Sequence, residues 1–266
     1  VGIQATGGLT LTQRWLDKNS HRSEIILTSD SGSEVFSSED AFLAEAPTLT
    51  RRNDLYYACW GELSLDIGSS TEYDWTPNCR VGAPGAWSDV TPPVFSIGSD
   101  WRPALAASAD GSFWMTYTLN IDNTNKNISG TGLWVLRFNP TQGGWLGLET
   151  AVEDENFPVD ASIAVDGEQA FVAYTSADAF ESPRSTRNIR FYQATPGEDA
   201  LTLEPFATTL LEDTTAVPDK TVSWPHLQSV AADRLERPSI TVVDGTLHTA
   251  ALAYSGRKVS VVRFST

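Results

Sequence analysis

The chain has 266 residues, 41% of them hydrophobic, enough to bury a substantial core in one large β domain or two small ones. Acidic residues number 34 against 18 basic ones, a formal charge of −16 that repels phosphate backbones and anionic headgroups and argues against nucleic acid or a membrane surface as partner. No run of about 18 apolar residues occurs, so no membrane span is expected. Lysines are confined to Lys18, Lys126, Lys220 and Lys258, and the chain opens on Val1 without a leader-like segment, a pattern expected of a secreted, processed protein, extracellular or periplasmic.

Helical periodicity is nearly absent, and short alternating or continuous apolar runs rich in Val, Thr, Tyr, Phe and Trp point to antiparallel sheet. The first unit reads as strands over Ile3 to Gly8, Leu9 to Trp15 and Glu24 to Thr28. The second opens on Pro47-Thr48-Leu49, turns at Asn53-Asp54 and returns through Leu55 to Trp60. Cys59 and Cys79, the only cysteines, lie near its strand ends. Two thiols are too few for a structural zinc site, and a disulfide between them is expected to add roughly 3 kcal/mol in an oxidising compartment; two separate buried thiols are the other possibility. The third unit runs from Pro103 through Asp110-Gly111 to Tyr117, the fourth from Ser162 through Asp166-Gly167 to Tyr174, and the fifth from Pro238 through Asp244-Gly245 to Tyr254. Asp-Gly suits a two-residue hairpin because both central positions can take positive φ.

A third strand recurs with an Arg-Phe pair at Arg137-Phe138, Arg190-Phe191 and Arg263-Phe264. A fourth opens at Gly85-Ala86-Trp87 and again at Gly143-Gly144-Trp145. The period of roughly 50 residues matches a four-stranded propeller blade. Second strands such as Tyr56 to Trp60 and Ala250 to Tyr254 are apolar on both faces, as stacked blades require. The expectation is therefore an all-β, single-domain β-propeller of about five blades, with repeats near 1–45, 46–101, 102–157, 158–236 and 237–266; a β-sandwich is the alternative. The fourth unit carries extra sequence from Glu212 to Glu236. The fifth lacks an outer strand, so the insert could cover its edge, the blade could be short, or more propeller could lie elsewhere.

The repeat resembles the secreted propellers with sialidase-type Asp-box (BNR) repeats. Thr28-Ser29-Asp30-Ser31-Gly32 follows their turn without the final aromatic in register. Asn139 to Trp145 keeps the Gly and Trp and loses the Asp. Such a family implies a glycan-acting propeller, with arginines near strand starts that grip a carboxylate. Arg102-Pro103 and Arg237-Pro238 open first strands in that manner, whereas Ala46-Pro47 and Phe157-Pro158 fill the corresponding slots elsewhere, so a three-arginine cluster is missing.

Catalytic motifs for nucleotide, zinc-protease or hydrolase-elbow chemistry are absent, and His21, His226 and His248 are not spaced as metal ligands; His248 reads as a core histidine. The Asn120 to Asn125 loop offers oxygens without the charge of a calcium loop, so no cofactor or metal is expected. Glycosidases need two carboxylates. Here the first inner strand, Val1 to Gly8, has none, Asp160 heads the fourth, and Glu62 and Asp66 follow a second strand. Among nine tryptophans, Trp15, Trp60, Trp75, Trp101 and Trp224 sit where strands meet loops and could stack on sugar faces. These features favour a binding module over an enzyme. Its expected partner is a glycan or another extracellular polymer, and Trp101, Arg102, Asp160, Trp224 and Arg237 are its candidate ligand residues. A glycoside hydrolase of sialidase type and a protein-interaction propeller within a larger assembly are the alternatives; oligomeric state is not legible.

Overall fold

The computed structural model describes residues 3–17, 22–39, 41–65, 73–91, 103–123, 128–147, 151–153, 157–177, 187–211 and 226–265. These contain strands and turns and no helix, arranged as five successive sheets. The first holds β1 (Ile3–Thr6), β2 (Leu9–Asp17), β3 (Arg22–Ser29) and β4 (Gly32–Val35) in that order. The second holds β5 (Leu43–Arg52), β6 (Leu55–Leu65), β7 (Tyr73–Ala83) and β8 (Ala86–Asp89). The third holds β9 (Ala104–Ala107), β10 (Phe113–Asn123), β11 (Ile128–Asn139) and β12 (Gly144–Leu146), with β13 (Ala151–Glu153) also on β11. The fourth runs β14 (Phe157–Asp166), β15 (Gln169–Ala177), β16 (Arg187–Pro196), β17 (Leu201–Leu211) and β18 (His226–Val230). The fifth has only β19 (Arg234–Val243), β20 (Thr246–Ser255) and β21 (Lys258–Ser265). All described pairings are antiparallel except β17 with β18, which is parallel. The predicted Trp87 and Trp145 strands are thus β8 and β12. Of the inserted segment, the described stretch β18 lies on the edge of the fourth sheet and not of the fifth.

Two compact units divide the chain, residues Val1–Ala107 with Leu119–Gly130, and Ser108–Thr118 with Thr131–Thr266. In the first, Leu11, Ile25, Leu27 and Phe36 of the first sheet region pack on Ala44, Leu49, Ala58 and Trp60 of the second. In the other, Ala164, Ala173, Ile189 and Phe191 of the fourth sheet pack on Leu235, Ile240, Leu247, Ala251 and Ala253 of the fifth. Within each unit successive first strands lie side by side: β1 with β5, β5 with β9, and β14 with β19.

Cys59 and Cys79 are directly opposite in the β6–β7 register and form a disulfide with Cα atoms 4.2 Å apart. That spacing belongs to the narrow, non-hydrogen-bonded pair of an antiparallel ladder. The bond therefore staples two strands of one sheet.

The Asp-Gly hairpins are less uniform than their sequences. Asp244 and Gly245 take φ of 49° and 75°, as a type I′ turn requires, and Gly7-Gly8 does the same in the first sheet. In the fourth sheet Asp166 is the last paired residue, and Gly167-Glu168 make the loop, a II′ pattern with glycine first. In the third, Asp110 accepts from the Ser112 backbone and hydroxyl and pairs with Arg137 at 2.6 Å. Burial pushes the Asp110 carboxyl up, but the hydrogen bonds from Ser112 and Ser108 and the Arg137 charge outweigh it and hold it below the usual carboxylate range.

The recurrent Arg-Phe pair also splits. Arg190 lies opposite Tyr174, one step past the Ser162↔Ala173 pair, whereas Arg263 lies opposite Ala250, the residue paired with Ser239. Phe191 and Arg263 thus fill the same slot, and a one-residue slip turns each side chain to the other face. Arg190 is accordingly buried and Arg263 exposed. His248, expected in the core, is exposed for the related reason that β20 alternates and only its Leu247, Thr249, Ala251 and Ala253 face is covered.

Candidate functional site

Three first strands share one irregularity. The β5–β6 register shifts between Glu45 and Thr48, β14–β15 between Val159 and Ser162, and β19–β20 between Glu236 and Ser239. At each bulge a non-glycine residue adopts a left-handed backbone: Ala46 (φ 51°), Asp160 (φ 51°) and Arg237 (φ 52°). Each sits seven positions before the first central residue of its hairpin, Asn53, Gly167 and Asp244. A hydroxyl residue resumes the ladder in every case, as Thr48, Ser162 or Ser239. Among the described residues the chain thus builds this bulge three times and varies the side chain it presents.

The device has local causes. A bulge inserts an unpaired residue and re-aims its side chain, and proline after it loses no ladder bond. Pro47 and Pro238 fill that place and are buried, with Ala161 their counterpart in β14. This corrects the slot expected from sequence: Asp160-Ala161, not Phe157-Pro158, matches Ala46-Pro47 and Arg237-Pro238. Phe157 and Pro158 pair regularly with Ala177 and Ser176. A left-handed L residue costs about 1–2 kcal/mol, and such strain gathers where a side chain is needed in a set direction.

Asp160 and Arg237 belong to adjacent strands of one unit, where the Ile240 backbone N–H donates to Ser162 Oγ at 3.3 Å. Asp160 is half-buried and Arg237 is exposed. Beside Arg237, Glu236 is 9% exposed and pairs with Arg234 (Nε to Oε1 3.2 Å), whose guanidinium lies 4.2 Å from the Tyr254 ring centre. A half-buried carboxyl, an exposed guanidinium and a second carboxyl on an aromatic-backed arginine are thereby placed along two neighbouring strands. Glu236 and Arg234 were missed in the sequence; the available signal was the Glu before the bulge, shared with Glu45.

Other candidates fall elsewhere. Glu62 is buried and accepts from Trp60 Nε1 (2.7 Å), the Ser38 N–H (2.8 Å) and Ser38 Oγ (2.7 Å), so its carboxylate ties a loop to β6. Trp60 is a core residue at 2% exposure, whereas Trp15 is 43% exposed. Trp101, Arg102, Trp224, Asp66 and His21 lie outside the described residues. Among the described residues no group of three His, Cys, Asp or Glu side chains could hold a metal ion.

No protein-family model matches this sequence, and no curated protein does. Solved structures do match in fold. A Bombyx mori GH32 β-fructofuranosidase is similar over 97% of this chain and 55% of its own, at 9% identity and a TM-score of 0.52. A Cellvibrio cellulosa α-L-arabinanase complexed with arabinohexaose matches over 98% and 90% at 14% identity and a TM-score of 0.46. A Xanthomonas citri GH43_1 enzyme complexed with xylose matches over 99% and 85% at 12% identity and 0.42. With its five successive, mainly antiparallel sheets the chain is an all-β protein of the β-propeller class. None of these findings bears out the sialidase-type repeat family beyond that fold.

Proposed function

We propose that this is an extracellular carbohydrate-active propeller that engages a glycan at its inner-strand bulges, and that it acts as a glycoside hydrolase. The observation that carries the reading is the pair of charged residues, Asp160 and Arg237, held in left-handed backbone at equivalent bulges of adjacent strands. The fold likeness to a β-fructofuranosidase supports hydrolysis over simple retention. Asp160 is the proposed reacting carboxyl and Glu236 the second acid. Hydrolysis adds water across the glycosidic bond, one carboxyl protonating the departing oxygen and the other assisting attack at the sugar carbon. Arg237, with Arg102 from the corresponding sequence slot of the third repeat, would fork onto substrate oxygens, and Trp101 and Trp224 would stack on sugar faces.

A panel of chromogenic furanosides and pyranosides, run beside a glycan array, tests this. Turnover by the parent protein should fall roughly 1000-fold or more in Asp160→Asn while array binding persists. Turnover untouched by that change overturns the site. Array binding without turnover of any glycoside returns the binding-module reading, which has one observation in its favour: β1 carries no acid, and the second sheet presents only Ala46 at its bulge.

A further inference from the structure

The exposed face of the fifth sheet carries a second polar cluster, which begins at Ser239, where the ladder resumes after the bulge, and extends away from it across β20 and β21. Its rows are set by register: Thr241 opposite His248 opposite Ser265, and next to it Ser239 opposite Ala250 opposite Arg263. Strands lie about 4.8 Å apart and same-face residues about 7 Å, so the six positions span a patch of roughly 10 by 7 Å. Ala250, in the middle of its row, offers only a methyl group, and the larger side chains around it leave a hollow whose lining includes all six. Ser239, Thr241, His248, Arg263 and Ser265 are exposed. None of the five has a side-chain hydrogen bond or ion pair with another described residue.

An unpaired guanidinium is unusual on a chain of net charge −16, where acids outnumber bases almost two to one. Three hydroxyls and an imidazole around it supply the short-range donors and acceptors that a sugar ring needs. The floor is apolar and small, and the single cation stands at one edge. We infer that this hollow binds an acidic sugar, with the carboxylate on Arg263 and the ring hydroxyls on Ser239, Thr241, His248 and Ser265. The guanidinium fork grips a carboxylate with two parallel hydrogen bonds, which a lysine cannot reproduce. The site does not depend on hydrolysis at Asp160 and would serve a binding module equally.

Isothermal titration of the intact chain with D-glucuronate and with D-glucose tests it. Glucuronate should bind measurably and at least tenfold more tightly than glucose. Arg263→Ala should weaken glucuronate about tenfold or more, and Arg263→Lys should recover only part of that. Ala250→Leu, which fills the hollow and touches no polar group, should weaken it as well. Thermal melting of each variant establishes that the sheet is intact. Asp160→Asn should leave glucuronate affinity unchanged, which keeps this site's failure apart from that of the proposed catalytic one. Equal affinity for the two sugars, no binding of glucuronate, or unaltered binding by a folded Arg263→Ala variant overturns the inference.

Discussion

The second and fifth sheets are built on one template and used differently. Both place a left-handed residue between Glu and Pro, Ala46 in one and Arg237 in the other, and both turn seven positions later. From there they diverge. Tyr56, Tyr57, Ala58, Cys59 and Trp60 are consecutively buried, so β6 is covered on both faces and bolted to β7 by the disulfide. In β20 burial alternates, and Val259 and Val261 on β21 are 57% and 61% exposed. A strand covered on both faces has no side chain to spare for a ligand. The one-sided sheet offers a whole face, and the unpaired polar groups are found there.

Removing the staple tests the difference most strongly. Cys59→Ala/Cys79→Ala should lose about 3 kcal/mol, read from urea denaturation, because a cross-link limits the unfolded chain. Reductant should bring the parent protein down by a similar amount and leave the variant unchanged. A parent midpoint insensitive to reductant would erase the contrast between the two sheets.

The bulges should instead respond alike. Ala46→Gly and Arg237→Gly each relieve about 1–2 kcal/mol of left-handed strain and give back about 0.5–1 in unfolded-chain entropy, a net gain near 0.5–1 kcal/mol. Equal gains from both substitutions, with glycan engagement impaired only in Arg237→Gly, would sharpen the view of one device carrying two cargoes. A gain at one position alone would mean the bulges are not equivalent. The smallest effect belongs to the open face, where Val261→Thr should change stability by less than about 0.5 kcal/mol in the same denaturation series.

Much of this architecture is legible in the residues. β-rich runs, the Trp87 and Trp145 outer strands and the cysteine pair all follow from local composition and spacing. The bulge positions do not, because a bulge is defined by which residues pair, and Pro158 imitates the proline that Asp160-Ala161 lacks. The offset between Arg190 and Arg263 is hidden for the same reason: identical dipeptides sit one register step apart. His248 misleads differently. Alternation with small apolar neighbours on β20 signals a strand, but which face another sheet covers is decided by tertiary packing. At the candidate site, Asp160 and Arg237 could be named from sequence, while Glu236 and Arg234 emerge only when β19 is seen beside β14.

The constant interval between bulge and hairpin has a consequence for how these repeats can change in length. One residue inserted between Arg237 and Ile240 would turn every later side chain of β19 over, sending Ile240 to solvent and Thr241 into the apolar layer. Two inserted residues would preserve the facing and merely lengthen the hairpin. Gains and losses of sequence inside this interval should therefore survive only in pairs. Beyond the outer strands no such parity applies, and there the chain accommodates a stretch as long as the one between β17 and β18.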